Sequence, residues 1–154
     1  QRDNHMYLSL ITDAYSKKIM GYDLSSSLST DGSFRALMMA ASNRSYPKCA
    51  LIHHSDRGIQ YASKEYTQKL LDNQVRISMT QTGDPLHNAL AERMNNTVKN
   101  GWLYECTKMN FQQTSIEVDK AIYSYNWMRP HQAINMKTPM QMISEENKNP
   151  LLFV

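Results

Sequence analysis

Two carboxylates, with the imidazole, amide and ammonium groups near them, are where this chain can do chemistry. Asp56 follows the run Cys49-Ala50-Leu51-Ile52-His53-His54 and one serine, at the carboxyl end of a short apolar strand. Open α/β sheets place their ligands at such strand ends. The plainer reading of Asp56 is a turn aspartate capping the loop through Gly58. Glu92 lies in a helical segment whose apolar stripe is Leu90, Met94 and Val98, and taken alone it is an ordinary solvated glutamate. Together they carry more weight. Between them lie 35 residues, read as helix, strand, loop and helix entry. A helix packed across the sheet edge would bring both carboxylates to one metal. Mg²⁺ is a hard cation that takes oxygen ligands and keeps several waters. Two such ions about 3.5–4 Å apart activate an attacking oxygen and stabilise the leaving oxygen of a phosphodiester.

The neighbours of the pair fit that chemistry in different degrees. Glu92, Asn96 and Lys99 stand at i, i+4 and i+7 and share a helix face. A carboxylate beside an amide and an ammonium suits a metal bound next to a DNA phosphate, and a solvated polar face is the alternative. His53 and His54 alternate across a strand, so only one faces the site. His54 shares its parity with Asp56, although a histidine in a buried strand is more often a satisfied core residue. Zinc is disfavoured, because neither His-x₃-His nor paired cysteines accompany them. Gln60 and Asn88 can contact DNA or serve as loop and cap hydrogen-bonding groups. Trp102 and Tyr104 read as packing residues. Arg129 and His131 read as anchors of the C-terminal segment, with DNA contact second.

The elements that must hold these groups follow from pattern. Met6 to Ala14 and Ile19 to Leu24 are strand-like runs around the polar turn Ser16-Lys17-Lys18, a hairpin. Phe34, Leu37, Met38 and Ala41 mark one face of a helix that starts near Ser29-Thr30-Asp31 and ends by Pro47. Ser63 caps a helix carrying Tyr66 and Leu70 and ending near Asn73, and Val75 to Thr80 is a further strand. Asp84 or Asn88 starts the Glu92 helix. Val118, Ala121, Ile122 and Tyr125 mark a last helix, after which the tail to Val154 reads as irregular. Helices alternating with strands argue for an α/β domain with a parallel part to its sheet.

Composition bounds the function classes. The chain has 154 residues, 41% hydrophobic and 20% charged, which is ordinary globular usage and one domain's length. Two cysteines, far apart, exclude a disulfide scaffold and fit a reduced setting. No apolar run approaches the roughly 20 residues that span a bilayer as a helix. The net charge of +3 permits a nucleic-acid partner without demanding one. The chain opens on Gln1-Arg2-Asp3-Asn4-His5 and enters a strand-like run almost at once, which reads as a piece of a longer protein.

Several ordered motifs resemble one family. They are Tyr7-Leu8-Ser9-Leu10-Ile11-Thr12-Asp13-Ala14-Tyr15-Ser16-Lys17-Lys18-Ile19, His53-His54-Ser55-Asp56-Arg57-Gly58-Ile59-Gln60-Tyr61, and Gly83-Asp84-Pro85-Leu86-His87-Asn88-Ala89-Leu90-Ala91-Glu92-Arg93. Tyr125-Asn126-Trp127-Met128-Arg129-Pro130-His131 and Thr138-Pro139 follow downstream. The chain resembles the catalytic core of IS3-like insertion-sequence transposases, within the retroviral-integrase superfamily. The resemblance runs from about Tyr7 to Pro139. It implies an RNase H-like α/β fold, a mixed sheet flanked by helices, and an Asp-Asp-Glu triad in which Asp56 matches the second aspartate and Glu92 the glutamate. The spacing between the two also matches the superfamily. The implied reaction is Mg²⁺- or Mn²⁺-dependent DNA strand cleavage at element ends, then strand transfer of a 3′-hydroxyl onto target DNA.

One departure accompanies the match. The family's first aspartate lies in an Asp-x-Thr-Tyr setting on the strand before Tyr7, and Asp3 in Arg-Asp-Asn-His does not match it. Asp13 belongs to the following turn and reads as structural. The expectation is therefore a core over residues 1–143 that lacks its first strand and one metal ligand, is inactive alone, and is followed by a tail over 144–154. The residues expected to touch DNA are Lys99, Asn96, His54, Gln60 and Asn88. Expected partners are element ends, target DNA and further copies of the chain, in a bacterial cytoplasmic, nucleoid-associated setting with no membrane. The rival readings are an inactive DNA-binding or assembly fragment of the same family, and an RNase H-like nuclease without strand transfer.

Overall fold

A computed structural model describes residues 5–43, 51–55, 63–79 and 89–148. Its elements are β1 (Tyr7–Thr12), β2 (Ile19–Ser25), α1 (Thr30–Ser42), β3 (Leu51–Ser55), α2 (Lys64–Asp72), β4 (Val75–Met79), α3 (Ala89–Gly101), α4 (Phe111–Trp127) and α5 (Pro139–Lys148). Short 3₁₀ turns lie at Tyr104–Lys108 and Gln132–Ile134. The described residues group into two compact units, one drawn from residues 1–11 and 20–93, the other from 12–19 and 94–154.

β1 and β2 pair through a connection too short for a parallel crossover, so they form a hairpin. Asp13 organises the turn as expected. Its carboxylate accepts from the Ser16 backbone N–H at 2.8 Å and from the Ser16 hydroxyl at 2.5 Å. Its own N–H donates to the Lys18 carbonyl at 2.9 Å, while Lys17 takes the left-handed conformation, φ 64°.

β3 and β4 are parallel, with Leu51 opposite Val75, His53 opposite Ile77 and Ser55 opposite Met79. α2 joins them and starts where expected, its N-cap Ser63 accepting from the Tyr66 N–H at 3.2 Å. Leu37, Tyr66, Leu70 and Val75 form the core of the first unit, with Phe34, Leu51 and Ile77 packed against it. The two ladders, β1-β2 and β3-β4, are separate two-stranded sheets among the described residues rather than one continuous mixed sheet.

Two expectations need correction. The face that α1 buries is Ser33, Ala36, Leu37 and Ala40, so the stripe is rotated from the Phe34, Leu37, Met38 and Ala41 read from hydropathy. Small residues won because β2 comes very close: a Cβ on Gly21 would stand 2.0 Å from the Ala36 carbonyl oxygen and 2.7 Å from the Ala40 nitrogen. The tail is not irregular throughout. Thr138-Pro139 starts α5 by a reciprocal cap, in which the Thr138 hydroxyl accepts from the Gln141 N–H at 3.2 Å. The Gln141 side chain accepts from the Thr138 N–H at 2.9 Å. α5 runs on past residue 143.

The second unit is built on α4. Val118, Ala121, Ile122 and Tyr125 are all buried, as their spacing predicts. Asn110 and Gln113 form a capping box at its start. Near its end, Asn126 accepts from the Ile19 N–H at 2.9 Å and donates to the Ile19 carbonyl at 3.0 Å. This buried amide pins the first residue of β2 to the helix.

Candidate functional site

α3 carries the candidate residues Glu92, Asn96 and Lys99 on one side and its packing on the other. Met94 and Val98 are buried at 2% and 0% exposure. Glu92, Asn96 and Lys99 are exposed, and the helical repeat puts all three on one face, away from that buried stripe. Glu92 makes no ion pair among the described residues. Lys99, in the last turn, complements the helix dipole and leaves its ammonium in solvent.

The adjacent histidines divide as strand alternation requires. His53 is buried, and its Nε2 lies 3.2 Å from the Tyr66 hydroxyl. Burial, helped by the neighbouring His54, pushes its pKa down to about 4, so this imidazole is neutral in the fold. It is a satisfied core residue. His54 is exposed on the opposite face, with Nδ1 3.0 Å from the Ser78 hydroxyl across the parallel pair. Parallel ladders usually have both faces covered. Here the face bearing Ile52, His54 and Arg76 is open to solvent.

Asp56, Gln60 and Asn88 lie outside the described residues. Within them, no cluster of three or more metal-ligating side chains occurs. Arg76 was not singled out from the sequence. Its register opposite Ile52 puts it on the same open face as His54, and the alternation of β4 was the available signal.

The aromatic residues downstream are structural in part. Trp102 meets Tyr125 edge-on, with ring centroids 6.2 Å apart, and the Arg129 guanidinium lies 5.7 Å from the Trp102 ring centre. Tyr125 also packs edge-on against His131 at 4.7 Å, and the His131 N–H donates to the Lys137 carbonyl at 2.9 Å. Burial, and then the Arg129 charge, lower the His131 pKa. Arg129 and His131 therefore anchor the segment after α4. Tyr104 is 75% exposed, contrary to its reading as a packing residue, because it opens a 3₁₀ turn instead of facing the core.

The fold and motifs have known counterparts. The integrase core domain family matches residues 1–85, and a second integrase core domain family matches residues 73–139. The chain belongs to the integrase core domain family. The transposase for insertion sequence element IS904 of Lactococcus lactis is 30% identical over 139 residues, covering 90% of this chain and 54% of that protein. The transposase for insertion sequence element IS629 of Shigella sonnei is 37% identical over 94 residues, 61% of this chain and 31% of that protein. The chain thus spans about half, or less, of these transposases.

Solved integrase cores share the RNase H-like fold. The catalytic core domain of BIV integrase matches with a TM-score of 0.72 at 13% identity, covering 96% of this chain and 91% of that one. The HTLV-2 integrase catalytic core domain, solved in complex with magnesium, matches at 0.62 and 19% identity, covering 85% of this chain and 80% of that one. At these identities the likeness shows the fold. The described residues of this integrase core include no helix long and apolar enough to cross a membrane.

Proposed function

We propose that this integrase core serves metal-dependent DNA strand cleavage and strand transfer for an insertion element, with Asp56 and Glu92 holding Mg²⁺ or Mn²⁺ together with a third carboxylate that residues 1–154 do not supply, so that the chain is inactive alone. The observation that carries the reading is the exposed face of α3. It presents an uncommitted carboxylate, Glu92, beside Asn96 and Lys99 in a chain of integrase-core fold. The donor chemistry fits a hard divalent cation, since Glu92 offers carboxylate oxygen and its neighbours are not thiolates. When bound, such a metal polarises the scissile phosphodiester and stabilises the leaving oxygen.

The remaining roles belong to the chain's own residues. Lys99 and Asn96 hold the DNA backbone by charge and hydrogen bonding, and fix its register relative to Glu92. His54, on the strand face that shares parity with Asp56, contributes a polar contact alongside Gln60 and Asn88. The partners are element ends, target DNA and further copies of the chain, in the cytoplasm and at the nucleoid of a bacterium. Residues 1–143 form the core and 144–154 the tail.

Titration of Mn²⁺ into the chain with a pre-cut duplex, read by the electron paramagnetic signal of free Mn²⁺, tests the metal site. Binding that Asp56→Asn and Glu92→Gln each weaken at least tenfold supports it. Binding unaffected by both substitutions overturns it. A labelled pre-cut end that becomes joined to a second duplex in any active assembly marks a transposase, whereas hydrolysis alone marks the nuclease reading.

A further inference from the structure

The β3–β4 pair is covered on one side only. His53 and Ser55 point into the core, while Ile52 and His54 point away from it. The register sets Ile52 beside Arg76 and His54 beside Ser78, so these four side chains share one patch on the open side. Strand geometry makes that patch about 5 Å across and about 7 Å along. α2 occupies the opposite side, where Tyr66 and Leu70 join the core with Val75, Leu51 and Ile77. On the open side Ile52 is 55% exposed and Arg76 is exposed beside it. Neither strand carries an acidic residue, and Arg76 makes no ion pair among the described residues.

We propose that Arg76 is a DNA-backbone contact, and that a phosphodiester of the substrate duplex lies on the face formed by Ile52, His54, Arg76 and Ser78. Charge decides the occupant. A helix or a second protein packed here would bury an unpaired guanidinium, which is strongly unfavourable. A phosphodiester supplies the missing anion, and the planar guanidinium donates two parallel hydrogen bonds to its oxygens. The His54 imidazole and the Ser78 hydroxyl, 3.0 Å apart, are the polar neighbours of that anion, and Ile52 packs against the sugar. Phosphate oxygens take most protein–DNA hydrogen bonds and carry no sequence information, so Arg76 positions the duplex without reading it. The inference rests on the DNA-processing reading and extends it to a residue that the metal site does not use.

Fluorescence anisotropy of a labelled duplex, titrated with the chain in EDTA at several salt concentrations, measures the contact. Each phosphate contact adds about 0.9 to the slope of log affinity against log salt. Arg76→Gln should weaken binding about three- to tenfold and make the slope shallower by about 0.9, equally on duplexes of unrelated sequence. Arg76→Lys keeps the charge and should keep the parental slope. Ile52→Lys adds a cation to the same face and should tighten binding at least about threefold, with a slope steeper by about 0.9. Leu71→Lys is its control: Leu71 is 58% exposed on α2, on the other side of the pair, so the slope should stay parental. Circular dichroism melts check the fold of each variant, and Ile52→Lys decides the matter if Arg76→Gln does not fold. A parent chain that binds duplex with a slope indifferent to Arg76→Gln, or to Ile52→Lys beyond the Leu71→Lys control, overturns this inference alone. So does a loss confined to one duplex sequence, because Arg76 would then read a base. A parent that binds no duplex overturns it together with the DNA-processing reading. Failure of the Mn²⁺ titration overturns the metal site and leaves the salt slope standing.

Discussion

Lowering the pH from 7 to 4.5 challenges the core of the first unit at a single buried imidazole. His53 is held neutral by burial, with a pKa of about 4 against its ordinary 6.5. Its folded value lies below its unfolded value, so between the two the unfolded chain binds more protons and stability falls as pH falls. The contribution is intact above about pH 6.5 and is lost progressively toward pH 4. At 1.36 kcal/mol for each tenfold, the gap sets a ceiling of about 3 kcal/mol, of which about 2 kcal/mol disappears between pH 7 and 4.5.

Other groups must be separated from this effect. The carboxyl of Asp23 is worked upward by burial, but hydrogen bonds from Arg35 and Ser25 outweigh that and lower its pKa. Its stabilising contribution is therefore lost only below the ordinary 3.8, outside the tested range. His131 is lowered in the same sense as His53 and overlaps it. The comparison is therefore with His53→Gln, which retains a group able to bond the Tyr66 hydroxyl but cannot titrate. Urea unfolding of both proteins, followed by tryptophan fluorescence at several pH values, gives the two slopes. The parent should lose about 2 kcal/mol more than the variant over the range. Parallel profiles, within about 0.5 kcal/mol, would refute the assignment of a neutral, buried His53.

Three further outcomes are expected from packing and capping. Asn126→Ala leaves the buried N–H and carbonyl of Ile19 without their side-chain partner, costing about 2–4 kcal/mol in denaturant unfolding. Gly21→Ala drives a methyl into the α1 backbone and should cost about 3 kcal/mol, visible as a lower Tm, whereas glycine-to-alanine at the open Gly101 should be neutral or stabilising. Asn110→Ala removes the capping box of α4 and should cost about 1 kcal/mol, with Asn110→Asp retaining most of it.

Periodicity revealed the helices best where large side chains marked the buried stripe. Val118, Ala121, Ile122 and Tyr125 point inward as their spacing requires, and Ser63 with Tyr66 and Leu70 gave α2 with its cap. α1 was misread by one step because its inner face is made of small residues. Hydropathy ranks Phe34 and Met38 above Ala36 and Ala40, but only the small pair lets Gly21 of β2 approach. α5 was missed because its sequence is polar after Ile143, and its start depends on the reciprocal Thr138–Gln141 cap rather than on an apolar stripe. The hairpin and the parallel pair were both legible, but their separation into two ladders among the described residues is a long-range outcome that alternation within one strand does not encode.

The candidate site is legible in the sequence as residue chemistry. Residue types and their order gave Asp56 and Glu92, while the contrast between His53 and His54 came from strand parity alone. The structure resolves that contrast: one imidazole is bonded to Tyr66 in the core, the other lies on the open face with Arg76. The same division runs along α3, where Met94 and Val98 hold the helix and the opposite face carries Glu92, Asn96 and Lys99. Buried and exposed residues therefore occupy separate sides of β3 and α3, so the polar side can change without loosening the core. The closing motif around Asn126 follows the opposite logic. Arg129 and His131 read first as anchors and second as DNA contacts, and the structure shows Asn126 consumed by the Ile19 backbone and the His131 ring packed edge-on against Tyr125. A motif shared with a family of enzymes can thus mark a fold constraint, and at Asn126 burial with both amide hydrogen bonds satisfied is what distinguishes it from a site.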